Sequence, residues 1–165
     1  MNTPVLMVLH EFIKTEINRY STEDTTHQLI GSIRGFGRRL GQKIMMKILM
    51  EKELVDFKNE SFKILSMMYN DFWTFAFSRK GEAYTKYQRK ISFIDRDFEF
   101  LGRIEATTNG DVKRTSSNGN QNEFVSMCLL LLTSLVEGAC ENFEHKIEFE
   151  SIWKGDHWLF EFRLA

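Results

Sequence analysis

The strongest constraint on the fold is an alternation of side chains between residues 143 and 164. Ring-bearing or aliphatic side chains share one parity over residues 143–149 and charged ones the other, and apolar side chains alternate again over residues 158–164. Since neighbouring strand residues point to opposite faces, the pattern predicts two strands with one apolar and one wet face. Residues 154–156 (Lys-Gly-Asp) are typical of a turn, so the strands form a hairpin. The residues that share the parity of the predicted apolar face are Phe143, His145, Ile147, Phe149 and Trp153.

The apolar face of this hairpin requires a covering layer, and the first half of the chain supplies it. Apolar residues recur at helical spacing there and predict three helices. The first follows Thr3 and Pro4, a typical N-cap and first-turn pair, and ends near Tyr20. The second covers residues 29–48 and the third residues 62–76.

The second predicted helix has two unusual features. Its glycines each cost up to about 1 kcal/mol relative to alanine, so they predict close backbone approach or a bend. These glycines are Gly31, Gly35, Gly37 and Gly41. Its basic side chains form either a solvated face or a contact for an acidic partner or an anionic membrane surface. They are Arg34, Arg38, Arg39, Lys43 and Lys47.

The rest of the chain contains a second hairpin, a loop and a fourth helix. Alternating residues Ile91 and Phe93, then Phe98 and Phe100, predict the hairpin. Residues 107–122, rich in Thr, Ser, Asn and Gly, predict an exposed, mobile loop inside a single domain that spans residues 1–165. Residues 123–141 are apolar nearly all round and predict a buried central helix. The fold class is therefore α+β, with helices packed on one face of an antiparallel sheet in the order ααα-ββ-α-ββ.

Composition and motifs exclude several function classes. A net charge of −1 disfavours nucleic-acid binding, and the uncharged run Phe124–Val136 is too short to span a membrane. Cys128 and Cys140 are separated by roughly 18 Å on one helix, so they are expected to be free thiols of a reducing cytosol, with raised pKa. Histidine spacing gives no metal site, and no glycine-rich phosphate loop or nucleophile turn is present. We therefore expect no catalytic residue, no cofactor and no metal, and an interaction protein.

Several segments, in order, resemble one family. They are Leu9-His10-Glu11, Gly37-Arg38-Arg39-Leu40-Gly41-Gln42-Lys43-Ile44, Asn70-Asp71-Phe72-Trp73, residues 95–101 and the closing strand of residues 158–164. Their order and spacing are similar to those of the small subunits of the TRAPP vesicle-tethering complex, and within them to the branch called TRAPP subunit 6. The chain departs from the pattern at residues 135–139, where the family has an Arg-Gly pair, and at Thr133 and Ser134, which replace a Cys-Gly pair.

The resemblance implies helices packed on one face of a twisted four-stranded antiparallel sheet, and a scaffold role rather than catalysis. It implies pairing with other TRAPP small subunits through helical faces, as a heterodimer or, in isolation, a homodimer. It also implies that the assembled complex acts as a nucleotide exchange factor for a Rab-type GTPase in transport from endoplasmic reticulum to Golgi. The chain would then be cytoplasmic and peripheral at these membranes. A sister branch carries a fatty acyl group on a cysteine where this chain has Leu54, so acylation is expected to be absent.

The predicted partner interface lies on the first two helices and consists of Leu6, Leu9, Ile13, Ile33, Phe36, Leu40 and Ile44. The alternative is that these side chains form the core of a monomer. A different class of function is a domain that binds haem or another hydrophobic ligand, because related domains of this fold do so. His10 or His145 would then be the axial ligand of a haem.

Overall fold

The structure is a computed structural model, and it describes residues 4–52, 60–87, 89–96, 98 and 119–165. Its helices are α1 (Pro4–Arg19), α2 (Thr26–Glu51), α3 (Ser61–Met67), α4 (Trp73–Phe77) and α5 (Gly119–Cys140), with a 3-10 turn at Glu23–Thr25 and a π-helical turn at Met68–Phe72. Its strands are β1 (Glu82–Tyr87), β2 (Lys90–Asp95), β3 (Ile147–Trp153) and β4 (Trp158–Leu164). The predicted helices of the first half are therefore confirmed, with the third composed of α3, the π-helical turn and α4.

The four strands form one antiparallel sheet with the order β1-β2-β4-β3. The predicted α+β fold is confirmed. The last hairpin is also confirmed, because β3 pairs with β4 in register from Ile147 opposite Leu164 to Trp153 opposite Trp158. Gly155 in its turn has φ of 99°, a left-handed conformation that glycine adopts without strain.

The predicted hairpin, which pairs the run of Ile91 and Phe93 with the run of Phe98 and Phe100, is wrong. Strand β2 pairs with β1 on one side and with β4 on the other, so Ile91 lies between Lys86 and Phe162. Strand β1 has the sequence Glu-Ala-Tyr-Thr-Lys-Tyr, in which small, aromatic and charged side chains give only a weak alternation of apolar and polar residues. Residues 99–101 lie outside the described residues, and Phe98 is buried in the core.

Two predicted boundaries also differ from the structure. The first turn of α5, residues 119–122, falls within the predicted loop, because one polar turn of helix carries no apolar period. The remainder of the loop, residues 107–118, lies outside the described residues. Strand β3 begins at Ile147 instead of Phe143, since the chain turns after α5 and Phe143 N donates a hydrogen bond to Cys140 O at 3.0 Å.

An aromatic cluster on the helix side of the sheet forms the centre of the core. Trp73 has no exposed surface, and its ring centroid lies 4.6 Å from those of Phe77 and Phe160 and 4.9 Å from that of Phe93. The register explains this arrangement, because Phe93 and Phe160 are directly paired on β2 and β4 and so project to the same face.

Glycine residues determine how closely α2 and α5 approach. A Cβ atom at Gly41 would lie 1.8 Å from the carbonyl oxygen of Leu135, and one at Gly138 would lie 1.9 Å from that of Arg38. A Cβ atom at Gly37 would lie 2.9 Å from the Cβ of Ser134. Of the two predicted alternatives for the glycines of α2, close backbone approach or a bend, close approach is thus found at Gly37 and Gly41.

The other two glycines of α2 have a different environment. A Cβ atom at Gly31 would have no neighbour within 4 Å, and one at Gly35 would meet only the Arg39 side chain. The packing of the described residues therefore does not require glycine at either position.

Helix α5 is the central helix that its composition predicted. Its buried residues pack against α2 and the sheet: Cys128, Leu131, Leu132, Ser134, Leu135, Val136, Gly138 and Ala139. Residues 123–140 are long and apolar enough to cross a membrane by length and composition, a criterion that the shorter uncharged run Phe124–Val136 does not meet. Half of that segment is buried within the fold, as in the core helix of a globular domain, so it is weak support for a membrane span.

Both cysteines are free thiols within α5, as expected. Burial raises the pKa of Cys128 to about 12. Burial, together with the negative charges of Glu137 and Glu141, raises the pKa of Cys140 to about 12. Neither thiol is therefore a reactive nucleophile near neutral pH.

Candidate subunit interface

The predicted interface residues separate into two groups. Leu9, Ile13, Ile33 and Ile44 are buried in the core of this chain, so a partner has no access to them. Phe36 and Leu40 are half-buried on the surface of α2. Leu6 belongs to α1, and its side chain lies outside the described part of the chain.

Contacts between α1 and α2 hold this surface in place. The ring of Phe12 stacks on that of Phe36, with centroids 4.1 Å apart and an interplanar angle of 27°. Ser32 Oγ donates a hydrogen bond of 2.6 Å to the buried carboxylate of Glu16, which also lies 3.8 Å from Arg19 Nη1. The contacts with α1 therefore fix the position of the α2 surface that includes Phe36 and Leu40.

Exposed apolar side chains on α1 were missed by the sequence reasoning. Met7 and Val8 are 56% and 64% exposed. They lie beside Leu9 on the helix, so the periodicity places them off the buried stripe and could have identified them. Helix α1 therefore contributes exposed apolar side chains in addition to the half-buried Phe36 and Leu40 of α2.

The basic side of α2 is exposed, as the sequence predicted, and only part of it is neutralised within the chain. Arg38 forms an ion pair with Glu141, and Lys47 Nζ lies 3.8 Å from Glu51. The other three have no ion-pair partner among the described residues. They are Arg34, Arg39 and Lys43.

A polar cluster lies on the opposite, outward face of the sheet. Glu161 on β4 is only 7% exposed and accepts a hydrogen bond of 3.1 Å from Ser92 Oγ, and Lys90 Nζ lies 2.7 Å from the same oxygen. Burial alone would raise the pKa of Glu161, but hydrogen bonds from Lys90, Arg163 and Ser92 outweigh it and keep the pKa below the ordinary value. The carboxylate is therefore stabilised in its charged form.

The Glu161→Gln variant is expected to change the pH dependence of stability. Because the pKa of Glu161 is lowered by folding, its stabilising contribution is complete above the ordinary value of 4.5 and is lost as the pH falls through the folded value. The free energy of unfolding of the variant should therefore fall less steeply below pH 4.5 than that of the wild type. Urea unfolding at several pH values measures this, with Glu148→Gln on the same face as the control. An unchanged slope in the acid range would contradict the assignment.

Two cavities on the surface of the described part of the chain include charged side chains in their linings. One, of about 240 Å³, lies beside the ion pair of Lys52 Nζ and Asp71 Oδ1 at 2.7 Å. The other, of about 210 Å³, lies beside Glu161 and Arg163. Both are smaller than a typical pocket for a drug-sized ligand, roughly 300–1,000 Å³.

The haem alternative gains no support from these cavities, because neither histidine lines them. His10 on α1 contacts the ring of Phe124 edge-on, with centroids 5.4 Å apart, and His145 lies in the turns before β3. No group of three His, Cys, Asp or Glu side chains in the described part of the chain is placed to hold a metal ion.

The family-like segments occupy positions that determine the fold. Gly37 and Gly41 lie at the crossing of α2 with α5. The Asn70-Asp71-Phe72-Trp73 segment passes through the π-helical turn, where Phe72 and Trp73 are buried and Asp71 pairs with Lys52. The described residues of these segments therefore contribute to the core and to the packing of the helices.

Comparison with known protein families identifies the family of this chain. The family model for the transport protein particle (TRAPP) component matches residues 6–160. The chain belongs to this family, whose members are subunits of a vesicle-trafficking complex. Subunits of this family are generally non-catalytic scaffold components.

The fold is also similar to a solved structure. The crystal structure of a trafficking protein particle complex subunit 3 from Naegleria fowleri, covalently bound to palmitic acid, matches with a TM-score of 0.60 and 10% sequence identity. The match covers 97% of this chain and 92% of that chain. At this identity the similarity supports the fold alone. No curated protein sequence matches. The prediction that Leu54 excludes acylation lies outside the described residues.

Proposed function

We propose that the chain is a non-catalytic scaffold subunit of a TRAPP complex and belongs to the subunit 6 branch. Its helical face pairs with another small subunit, as a heterodimer or, in isolation, a homodimer. The assembled complex then acts as a nucleotide exchange factor for a Rab-type GTPase in transport between endoplasmic reticulum and Golgi. The chain is cytoplasmic and peripheral at both membranes, without membrane insertion.

The observation that carries this proposal is the surface of α1 and α2. Phe36 and Leu40 are half-buried there, Met7 and Val8 are exposed, and Arg39 and Lys43 on α2 have no ion-pair partner among the described residues. A half-buried apolar centre beside charged side chains is the usual anatomy of a protein interface. Burial of these side chains against a second subunit would remove apolar area from water at about 25 cal/mol per Å².

The proposal is tested by purification of the tagged chain from its own cell extract, followed by mass spectrometry. Recovery of other small TRAPP subunits and a Rab-type GTPase is the expected result. If well-folded protein recovers none of them, the scaffold role is refuted. An untagged extract is the control for nonspecific recovery.

The Leu40→Glu variant is expected to abolish pairing with the recovered subunit. Leu40 is half-buried on α2, so the variant places a carboxylate in the proposed contact, and an unpaired buried charge costs several kcal/mol. Leu40→Gln, which has a similar size and no charge, should retain more binding. Binding is measured by titration calorimetry, and circular dichroism verifies that both variants fold. Full affinity in a folded Leu40→Glu protein would exclude α2 as the contact.

A further inference from the structure

The exposed side of α2 has an unusual distribution of charge. From Thr26 to Met50 the helix contains five Lys and Arg residues and no Asp or Glu, whereas the whole chain has a net charge of −1. Four exposed residues follow one another at steps of four, three and four, which places them on one stripe of the helix. This basic stripe consists of Arg39, Lys43, Met46 and Met50.

The charges of the basic stripe do not stabilise the chain by themselves. Arg39 and Lys43 have no ion-pair partner among the described residues, and they lie at an i, i+4 spacing. Like charges at this spacing destabilise a helix. Lys47, one step further at i+4, adds to the same repulsion although Glu51 partly offsets it. An acidic group of a binding partner would attract these side chains and offset their mutual repulsion.

The apolar residues of the basic stripe indicate a protein partner. Met46 and Met50 are 49% and 76% exposed, and methionine side chains adapt to irregular protein surfaces. A helix that binds a lipid surface instead carries Trp, Phe or Leu along a broad apolar face. The apolar residues next to the stripe, Phe36 and Leu40, are half-buried, where side chains of a partner can reach them more readily than lipid headgroups.

A second copy of this chain is a poor partner for the same surface. In a two-fold dimer both subunits present the same surface to each other. Pairing through the basic stripe would therefore bring together two cationic helix surfaces, neither of which has an Asp or Glu between Thr26 and Met50 to neutralise the other. Juxtaposed like charges oppose association.

We infer that the basic stripe binds an acidic helical surface of a different small subunit, and that like charge disfavours self-pairing through it. This inference rests on the proposed function and identifies the chemistry of the partner. Negative side chains of that subunit would lie opposite Arg39 and Lys43, and apolar ones opposite Met46 and Met50. Association should then weaken as salt rises, because exposed charge pairs are screened.

The experiment compares three tagged full-length proteins in extracts of the chain's own cells. They are the wild type, Arg39→Glu/Lys43→Glu, and Lys80→Glu/Lys154→Glu. The last is a matched control, because Lys80 and Lys154 are exposed, have no ion-pair partner among the described residues and give the same change in net charge. The small TRAPP subunits recovered with each protein are quantified by mass spectrometry. Circular dichroism verifies folding.

The expected result is that Arg39→Glu/Lys43→Glu recovers small TRAPP subunits at least about tenfold less than the wild type, whereas the control recovers them equally. If the reversed variant does not fold, Arg39→Gln/Lys43→Gln, which only removes the two charges, is expected to reduce recovery at least about threefold. Equal recovery by the charge-altered variant and the control would overturn the inference and leave the proposed function intact. Recovery of no TRAPP subunit even by the wild type would refute both.

Two further measurements test the two other binding partners of the basic stripe, which are a second copy of the chain and an anionic lipid surface. If the purified wild type is a dimer at low salt in light scattering and Arg39→Glu/Lys43→Glu makes it monomeric, the stripe pairs two copies of the chain, and the inference is wrong. If TRAPP recovery is equal but only the wild type and the control bind vesicles of phosphatidylserine and phosphatidylcholine, the stripe binds anionic lipid, and the inference is again wrong. A monomer that does not bind these vesicles supports it.

Discussion

Replacement of Gly41 by alanine is expected to lower the free energy of unfolding by at least about 3 kcal/mol, a large part of the total stability of a domain of this size. The new Cβ would lie 1.8 Å from the carbonyl oxygen of Leu135, which is backbone and has no rotamer available to move away. The two helices must therefore separate, which would also loosen the close packing at Gly138, where an added Cβ atom would lie 1.9 Å from the carbonyl oxygen of Arg38.

The same substitution ten residues earlier in α2 is expected to have the opposite effect. A Cβ atom at Gly31 would have no neighbour within 4 Å, so Gly31→Ala gains helix propensity of about 1 kcal/mol without a clash. Urea unfolding followed by circular dichroism measures both variants. If Gly41→Ala is as stable as the wild type, the close crossing of α2 and α5 is wrong. If Gly31→Ala is destabilised, that position is packed against something else.

The Trp73→Ala variant is expected to lose about 3–5 kcal/mol of unfolding free energy, the usual range for removal of a large aromatic side chain from a core. Trp73 is fully buried and connects α4 with β2 and β4 through its contacts with Phe77, Phe93 and Phe160. Its removal leaves a cavity that three elements would have to close together. Urea unfolding is again the measurement.

Trp73→Phe is the matched control and is expected to lose less than half as much. It keeps an aromatic ring in the cluster and removes the indole N–H, which is buried without a hydrogen-bond partner among the described residues. Removal of an unpaired buried polar group offsets part of the lost packing, since such a group costs about 1–3 kcal/mol. Equal losses for both variants would mean that the indole makes a contact that phenylalanine cannot replace.

Local patterns in the sequence were sufficient to predict the helices and the last hairpin. The apolar period of α2 and the alternation of β3 and β4 are set by neighbouring residues, so they are visible without a structure. The sequence also predicted close backbone approach or a bend at the four glycines of α2, and close approach is found at Gly37 and Gly41. It did not predict that Gly138 completes the same crossing, because that contact joins residues about a hundred positions apart.

The sheet order and the surface could not be predicted in the same way. Strand β1 lacks a strong alternation, and its pairing with β2 together with that of β2 with β4 depends on long-range contacts. For the interface, apolar spacing identifies buried positions and does not separate a core from a contact surface. Ile13 and Ile33 therefore belong to the core, whereas Phe36 and Leu40 remain at the surface. Only the burial of each side chain in the structure distinguishes the core residues from the surface residues.

The central position of β4 determines when this fold can be completed during synthesis on the ribosome. Strand β4 follows every other described element along the chain, yet it lies between β2 and β3 and is the only strand that joins them. Until residues 158–164 emerge, β2 and β3 each have an unpaired edge, which exposes them to aggregation. We expect nascent chains that stop before Trp158 to require chaperones and to be unable to present a finished surface to another subunit.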